Sequence, residues 1–337
     1  MVHGETDTWT NLFSVLPAFV LKEKLLHHSI EVKTARSIAE LIGVVETFEL
    51  TQKGNPVYFR GENQDHKVGA LRPSIYRTPQ RLCEEYKTYR EMQRFNDHEF
   101  TADKTAFDKL SRMQHYSMPT RLIDLSEDIL SALYFALDGR KNNNQAAVYL
   151  IEIDQSQVKY YDSDAVSVVA NLVKSPLSDG CTPRKSKQAI HEDANKYRTH
   201  REAFNGTESA GYLLHDIKEE KSYFSHKIDP IHLFSILFVK PKLTNNRLHG
   251  QKGAYLLFGL NEQDINNSIP IFVEDTPDHL SLNSTIHSEQ FPIRKITKVL
   301  ISCEIRMEHL EKLGITTPYI YPELDHVSHY LSKTLEQ

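Results

Sequence analysis

Hydrophobic positions recur with two periods along this chain, and the switches between them lay out its elements. Ile38, Leu41, Ile42, Val45 and Phe48 return at helical spacing, which predicts an amphipathic helix over about Thr34 to Leu50, ended by Gly54 and Pro56. Val57-Tyr58-Phe59-Arg60 then reads as a short strand of β-branched and aromatic residues, with Gly61 opening a turn and Arg60 at the strand's carboxyl end. Leu71-Arg72-Pro73-Ser74 is a bend set by proline. Leu82, Tyr86 and Tyr89 share one side of a helix over about Pro79 to Asn96, and a shorter helix runs from about Lys104 to Gln114. From His115 to Asp124 the chain is densely polar, and Pro119 disfavours helix there. Ser126 reads as the N-cap of a helix through Leu137 that is apolar nearly all round and should be buried.

Ala147 to Ile153 has the composition of a strand. A helix follows near Asp164 to Val173, then a polar run from Ser178 to Asn205, then a helix near Ala210 to Tyr223. Strands resume at Leu233 to Lys240, Ala254 to Phe258, Ile269 to Val273 and Ile296 to Ile301, and helices near Arg306 to Leu313 and Leu324 to Leu331 close the chain. Strands and helices are mingled, no internal repeat is visible, and no Gly/Ser-rich linker marks a boundary. The expected fold is therefore α+β: a single domain whose mixed or antiparallel sheet is flanked by helices. Residues 1–33 read as an N-terminal extension of a domain at 34–331. The polar run near 178–205 reads as a surface insertion that could be deleted without loss of the fold.

Composition narrows the function classes. The 337 residues carry a net charge of −5, so there is no global attraction to nucleic acid, and RNA contact would have to be local. One candidate is the basic run Arg184, Lys185, Lys187, Lys196, Arg198 and Arg201, which equally suits a solvated loop or helix face. The apolar stretch from Leu12 to Leu26 is broken by Pro17, Lys22 and Lys24, which argues against a membrane span of about 20 residues and against a signal peptide. Cys83, Cys181 and Cys303 are far apart and odd in number, as expected of reduced thiols in a cytoplasmic protein.

Candidate chemistry concentrates in two places. Arg60 and Arg121 carry the planar fork that suits phosphate, but Arg60, Arg121 and Asp124 could instead form an internal ion-pair network. His115 is either a hydrogen-bonded partner in its loop or a general base, since imidazole titrates near neutrality. Tyr116 and Tyr134 suit either a core or a ligand platform. The chain has no phosphate-cradling Gly-x-x-x-x-Gly-Lys run, no His-Glu-x-x-His and no Gly-x-Ser-x-Gly, and its histidines and acids lack ligand spacing, so no metal is expected.

Several spaced runs resemble the FRG-domain family in order and type. They are Tyr58-Phe59-Arg60-Gly61, Leu71-Arg72-Pro73-Ser74, Gln114-His115-Tyr116 with Pro119-Thr120-Arg121-Leu122 and Asp124, Ala132-Leu133-Tyr134-Phe135-Ala136, Gln251-Lys252-Gly253-Ala254-Tyr255, and Tyr321-Pro322-Glu323-Leu324-Asp325. The chain is identified on these as a member of that family, and it is also similar to ADP-ribosyltransferases. That second resemblance implies an ADP-ribosyltransferase-like fold in which Arg60, Gly61, Arg121, Asp124 and Tyr134 bind NAD or another nucleotide, while His115, Thr120 and Gln251 serve the chemistry. An amide at Gln251 can bond a ribose hydroxyl but supplies no charge, so a carboxylate such as Glu62, Glu274 or Glu289 would have to do so. The function implied is a nucleotide-binding protein. It would be an NAD-using effector of prokaryotic antiviral defence, either transferring ADP-ribose or hydrolysing NAD. A non-catalytic module for RNA or a nucleotide, or a protein-interaction domain, is the alternative.

Overall fold

The strand-forming segments come together in one mixed sheet. The computed structural model describes residues 30–66, 70–141, 144–178, 185–225, 227–242, 253–260, 272–276, 279–282 and 291–335. Its strands are β1 (Glu31–Ala35), β2 (Val57–Glu62), β3 (Leu122–Ser126), β4 (Ala146–Ile153), β5 (Val158–Tyr160), β6 (Ile236–Lys240), β7 (Gly253–Phe258), β8 (Phe272–Thr276), β9 (His279–Leu282) and β10 (Ile293–Ile301). Eight of them form the sheet in the order β1-β10-β4-β2-β3-β7-β6-β5, and β8 pairs with β9. The outer pairs β1–β10 and β5–β6 are parallel, and the inner pairs are antiparallel. This is an α+β fold, as the mingled periodicities indicate. None of the described helices is long and apolar enough to cross a membrane.

β4 lies inside the sheet between β10 and β2, and all eight of its residues are buried, so both its faces are covered. Its single acid, Glu152, accepts hydrogen bonds from the backbone of Thr51 and the side chain of Asn55. One face of the sheet meets α1 (Ile38–Glu46) and α6 (Ile129–Leu137), which close a core with Leu41, Phe59, Val148 and Val299. A larger core gathers α3 (Glu85–Phe95), α5 (Ala106–His115), α7 (Asp164–Ala170) and α10 (Glu208–Lys218) against β3, β6 and β7.

Several expectations change here. Residues 31–35 extend as β1 beside β10, so the helix expected from Thr34 begins only at Ile38, capped by Ser37. Strand β1 therefore takes in residues assigned to the N-terminal extension. Ser126 ends β3 and does not cap α6; Asp128 is the cap, its carboxylate accepting from Leu130 N and Ser131 N. The polar run near 178–205 is not a detachable insertion. Its helices α8 (Lys187–Lys196) and α9 (Arg201–Asn205) plant Ile190, Ala194 and Phe204, all with 0% exposure, in the larger core. The helical periodicity of that run is masked by the charges that alternate with its few apolar residues.

Candidate active site

The site arises where two neighbouring strands part. β2 runs beside β4 along its whole length and β3 beside β7 along its whole length, yet β2 and β3 meet at one register pair, Phe59 opposite Ser126. Past that pair the ladder stops, and the backbone groups facing the gap need other partners. Arg60 supplies one: its Nη1 donates to the Asp124 carbonyl at 3.0 Å, standing in for a missing ladder bond. The gap widens into a cleft of about 510 Å³ lined by Arg60, Gly61, Glu62, Ser74, Arg77, Gln114, His115, Asp124, Phe135, Tyr255 and Tyr321, among others. Motif segments distant in sequence thus reach one concave surface, within the size range of small-ligand sites.

Gly61 plays a different part from the one expected. It lies within β2 and makes no turn. A Cβ there would stand 1.8 Å from the Ala132 carbonyl oxygen and 2.7 Å from Ala136 N, so only glycine lets α6 lie against the strand. Arg60 is correspondingly inside the strand, and its head reaches the cleft because β3 has moved away.

Charge in the cleft is unevenly satisfied. Glu62 Oε1 lies 3.2 Å from Arg60 Nε and also accepts from Leu71 N, while Glu62 Oε2 is buried with no hydrogen-bond partner. Leu71 has φ 51° and the cleft-lining Ser117 φ 62°; both are left-handed conformations that cost about 1–3 kcal/mol for such residues, and such strain clusters at functional sites. Arg77 makes no hydrogen bond or ion pair with the described residues. Partial burial, then Arg60, lower its pKa, Glu62 works the other way, and Arg81 lowers it further. Burial and Arg77 likewise lower Arg72, whose Nε is buried without a partner. Arg60, Arg72 and Arg81 therefore all lie close enough to Arg77 to act on or with its charge, while Glu62, Asp124 and Asp138 are the carboxylates lining the cleft among the described residues. An anion bound between Arg60 and Arg77 would relieve the repulsion between those two guanidinium groups.

The other residues singled out from sequence separate into those that face the cleft and those that support it. Asp124 faces it, and its Oδ2 accepts from Gln114 Nε2 at 2.6 Å. Thr120 does not: it is 1% exposed, and its hydroxyl donates to Gln114 Oε1 at 2.6 Å. Arg121 is also not a ligand group. It has 0% exposure and grips Glu85 through Nε at 2.7 Å and Nη2 at 2.6 Å, while Nη1 reaches the Phe258 and Gly259 carbonyls, so the expected pairing with Asp124 gives way to one with α3. Lys187 of α8 joins the same carboxylate at 3.0 Å. Burial alone would push Glu85 up, but Arg121 and Lys187 hold its carboxyl down at about 2. Tyr134 is buried with its hydroxyl 3.0 Å from Thr317 Oγ1, and its neighbour Phe135 lines the cleft instead.

His115 lines the cleft with Nε2 2.9 Å from Glu323 Oε1, so its ring is tied to the C-terminal segment. That segment also brings Tyr321, which packs edge-on to Phe135 and stacks on His326. Gln251 lies outside the described residues; of its motif, Gly253, Ala254 and Tyr255 line the cleft. Asn63, His66, Arg77, Gln114, Phe135, Asp138 and Tyr321 line the cleft without having been singled out from sequence. Gln114, Phe135 and Tyr321 belong to recognised motifs, yet nothing in the sequence separates the lining members of a motif from the supporting ones.

Beyond the cleft, the described members of the basic run are engaged internally. Lys185 approaches Asp216 at 3.9 Å, Lys187 is buried, Lys196 and Arg198 lie over the rings of Tyr197 and Phe234, and Arg201 donates to the Lys227 carbonyl. Among the described residues, His215, Asp216 and Glu219 stand close enough to share an ion. Lys174 Nζ lies 2.6 Å from Glu219 Oε2, however, and with Lys185 it already meets the negative charge there.

Residues 55–145 match the model of the FRG domain. That segment holds β2, the arginine-bearing turn, α5, β3 and α6; the linings from β7 and Tyr321 fall beyond it. No curated protein and no solved structure gives a match.

Proposed function

We propose that this protein, which belongs to the FRG-domain family, binds NAD in the cleft between β2 and β3 and breaks its nicotinamide–ribose bond, as an effector of prokaryotic antiviral defence. The observation that carries this reading is that one cleft is lined both by two guanidinium groups, Arg60 and Arg77, and by the aromatic rings of Phe135, Tyr255 and Tyr321. Arg60 and Arg77 suit the two phosphates of a dinucleotide, because guanidinium forks bind phosphate oxygens bidentately. Phe135 and Tyr321 offer flat apolar surface for a nicotinamide or adenine ring. The resemblance to ADP-ribosyltransferases supports NAD as the dinucleotide, and the defence role is an expectation carried by the family.

In the reaction, the bond between C1′ of the nicotinamide ribose and the ring nitrogen breaks, and its electron pair leaves with nicotinamide. C1′ gains a bond to the oxygen of water, whose proton passes to the solvent, or to an acceptor nucleophile in the transferase version. Positive charge develops on the ribose, so a carboxylate in the cleft favours the transition state more than the bound substrate. Calorimetric titration with NAD and ADP-ribose, followed by chromatographic detection of nicotinamide, tests the reading. Micromolar to millimolar binding and time-dependent nicotinamide release are expected. No binding of either ligand, together with steeply salt-dependent binding of RNA, would replace it with the RNA-module alternative.

A further inference from the structure

We propose that Asp124 is the catalytic carboxylate of this cleft, contacting the nicotinamide ribose, and that Gln114 and Thr120 are the positioning residues that aim it. The inference rests on the NAD-cleaving reading above and assigns the one charge that reading requires.

Among the described residues three carboxylates line the cleft, and of these Asp138 sits at the C-cap of α6 with its Oδ2 accepting from the Tyr321 hydroxyl at 3.4 Å, which leaves Glu62 and Asp124 to compare. Glu62 is 7% exposed and is tied through Oε1 to Arg60 and to Leu71 N, and its Oε2 is buried too. Its charge is already paired with a guanidinium. Asp124 is exposed in the cleft wall, and only its Oδ2 is held. Its Oδ1 takes no hydrogen bond from the described residues and is open to a ligand. The Asp124 backbone is fixed on both sides, by pairing with Tyr255 on β7 and by Arg60 on the carbonyl. A carboxylate on a strand held this way returns to one position, as transition-state stabilisation requires.

The direction of the hydrogen bonds can be deduced. Leu122 N donates to Thr120 Oγ1 at 3.1 Å, which leaves the Thr120 hydroxyl to give its own proton away. Its acceptor is Gln114 Oε1 at 2.6 Å. The amide oxygen of Gln114 is therefore committed to Thr120, and its NH₂ must point at Asp124 Oδ2, 2.6 Å away. Only an acceptor is welcome there, so the relay fixes the plane of the Asp124 carboxylate. Thr120 is itself anchored, because its N donates to Ser74 Oγ at 3.1 Å and its carbonyl accepts from Ile75 N at 3.2 Å. Those anchors come from the turn that also carries Arg77. The phosphate end and the carboxylate are thus built on one connected frame.

Steady-state nicotinamide release and calorimetric NAD binding on the full chain, with Asp124→Asn, Gln114→Ala, Thr120→Ser and Thr120→Val, test the assignment. Asp124→Asn should lower kcat by ~10²-fold or more while the dissociation constant for NAD changes by less than about threefold, since the charge acts mainly on the transition state. Gln114→Ala should lower kcat roughly tenfold at an unchanged KM, the mark of a misaimed group. Thr120→Ser keeps the donor and should restore most of the rate that Thr120→Val loses, an effect that loss of packing alone would not produce. If Asp124→Asn misfolds, the kcat-against-KM split of Gln114→Ala carries the test. Wild-type rates in Asp124→Asn or Gln114→Ala would overturn the assignment and leave the NAD-cleaving reading standing. A wild-type protein that neither binds NAD nor releases nicotinamide would remove that reading and this assignment with it.

Discussion

Arg60 and Arg121 border the same sheet, yet the polar networks around them are built to opposite ends. At Arg121 the guanidinium meets both oxygens of Glu85, Lys187 joins the same carboxylate, and two carbonyls take the remaining donor, all without access to solvent. At Arg60 the bonds are fewer, and among the described residues groups are left over: Glu62 Oε2, the Arg72 Nε and the head of Arg77. A closed network in low dielectric pins elements together and leaves nothing for a ligand. An incomplete one persists at a cost that a bound anion can offset. An arginine inside a family motif is therefore not a binding residue by virtue of the motif; what distinguishes it is whether its surroundings are finished without a ligand.

The closed network around Arg121 is the more sensitive of the two to change. Deleting residues 185–205 removes Lys187 together with Ile190, Ala194 and Phe204, and calorimetry should then show no cooperative melt; retention of a single sharp transition would return that segment to the status of an insertion. Glu85→Gln is next. It leaves Arg121 and Lys187 buried beside a neutral group, and a urea titration should register a loss of ~3–5 kcal/mol, the range for one-sided removal of a buried pair. The wild-type protein gives the matching pH dependence. Because the Glu85 carboxyl is held at about 2, below its unfolded value, the unfolded chain binds the extra proton. Its contribution is complete above the unfolded pKa near 4.5 and is lost as pH falls toward 2. Acid melts of the Glu85→Gln protein should lack that component.

Gly61→Ala addresses the frame between the two networks. The added methyl meets backbone that cannot give way, so stability should fall by about 3 kcal/mol, the upper end for overpacking, and α6 should show faster amide exchange. The smallest effect on the fold belongs to the open end. Arg60→Ala should stay within ~2 kcal/mol of the parent by urea titration, since it forfeits one or two partly exposed bonds. Affinity for ADP-ribose should weaken by roughly 10- to 100-fold, as expected for charge-assisted bonds, with Arg60→Lys in between. An Arg60→Ala protein that is fully folded and binds ADP-ribose as tightly as its parent would end the distinction between the two arginines.

Much of the architecture was legible before any coordinates. The strands at 57–62, 146–153, 236–240, 253–258 and 293–301, and the helices α5, α6 and α10, all fall within a few residues of where periodicity puts them. The motif order also pointed to Arg60, His115 and Asp124, and all three face the cleft. Misplaced were residues whose partner lies far along the chain. Thr120 and Arg121 follow Pro119 in a dense polar run, and their neighbour Asp124 faces the cleft, but their side chains turn inward to Gln114 and Glu85.

Composition and periodicity by themselves determined the class of fold and the identity of its core strands, because both depend on the burial of a residue relative to its near neighbours; the motif set entered only through its resemblance to the FRG domain. Tertiary structure alone decided that β2 and β3 part after Phe59, that Gly61 serves a helix packed against its strand, and that the charged helix α8 closes the core around Glu85. Each of these is a meeting between segments tens of residues apart, and a periodic pattern records that a side chain is covered without recording what covers it.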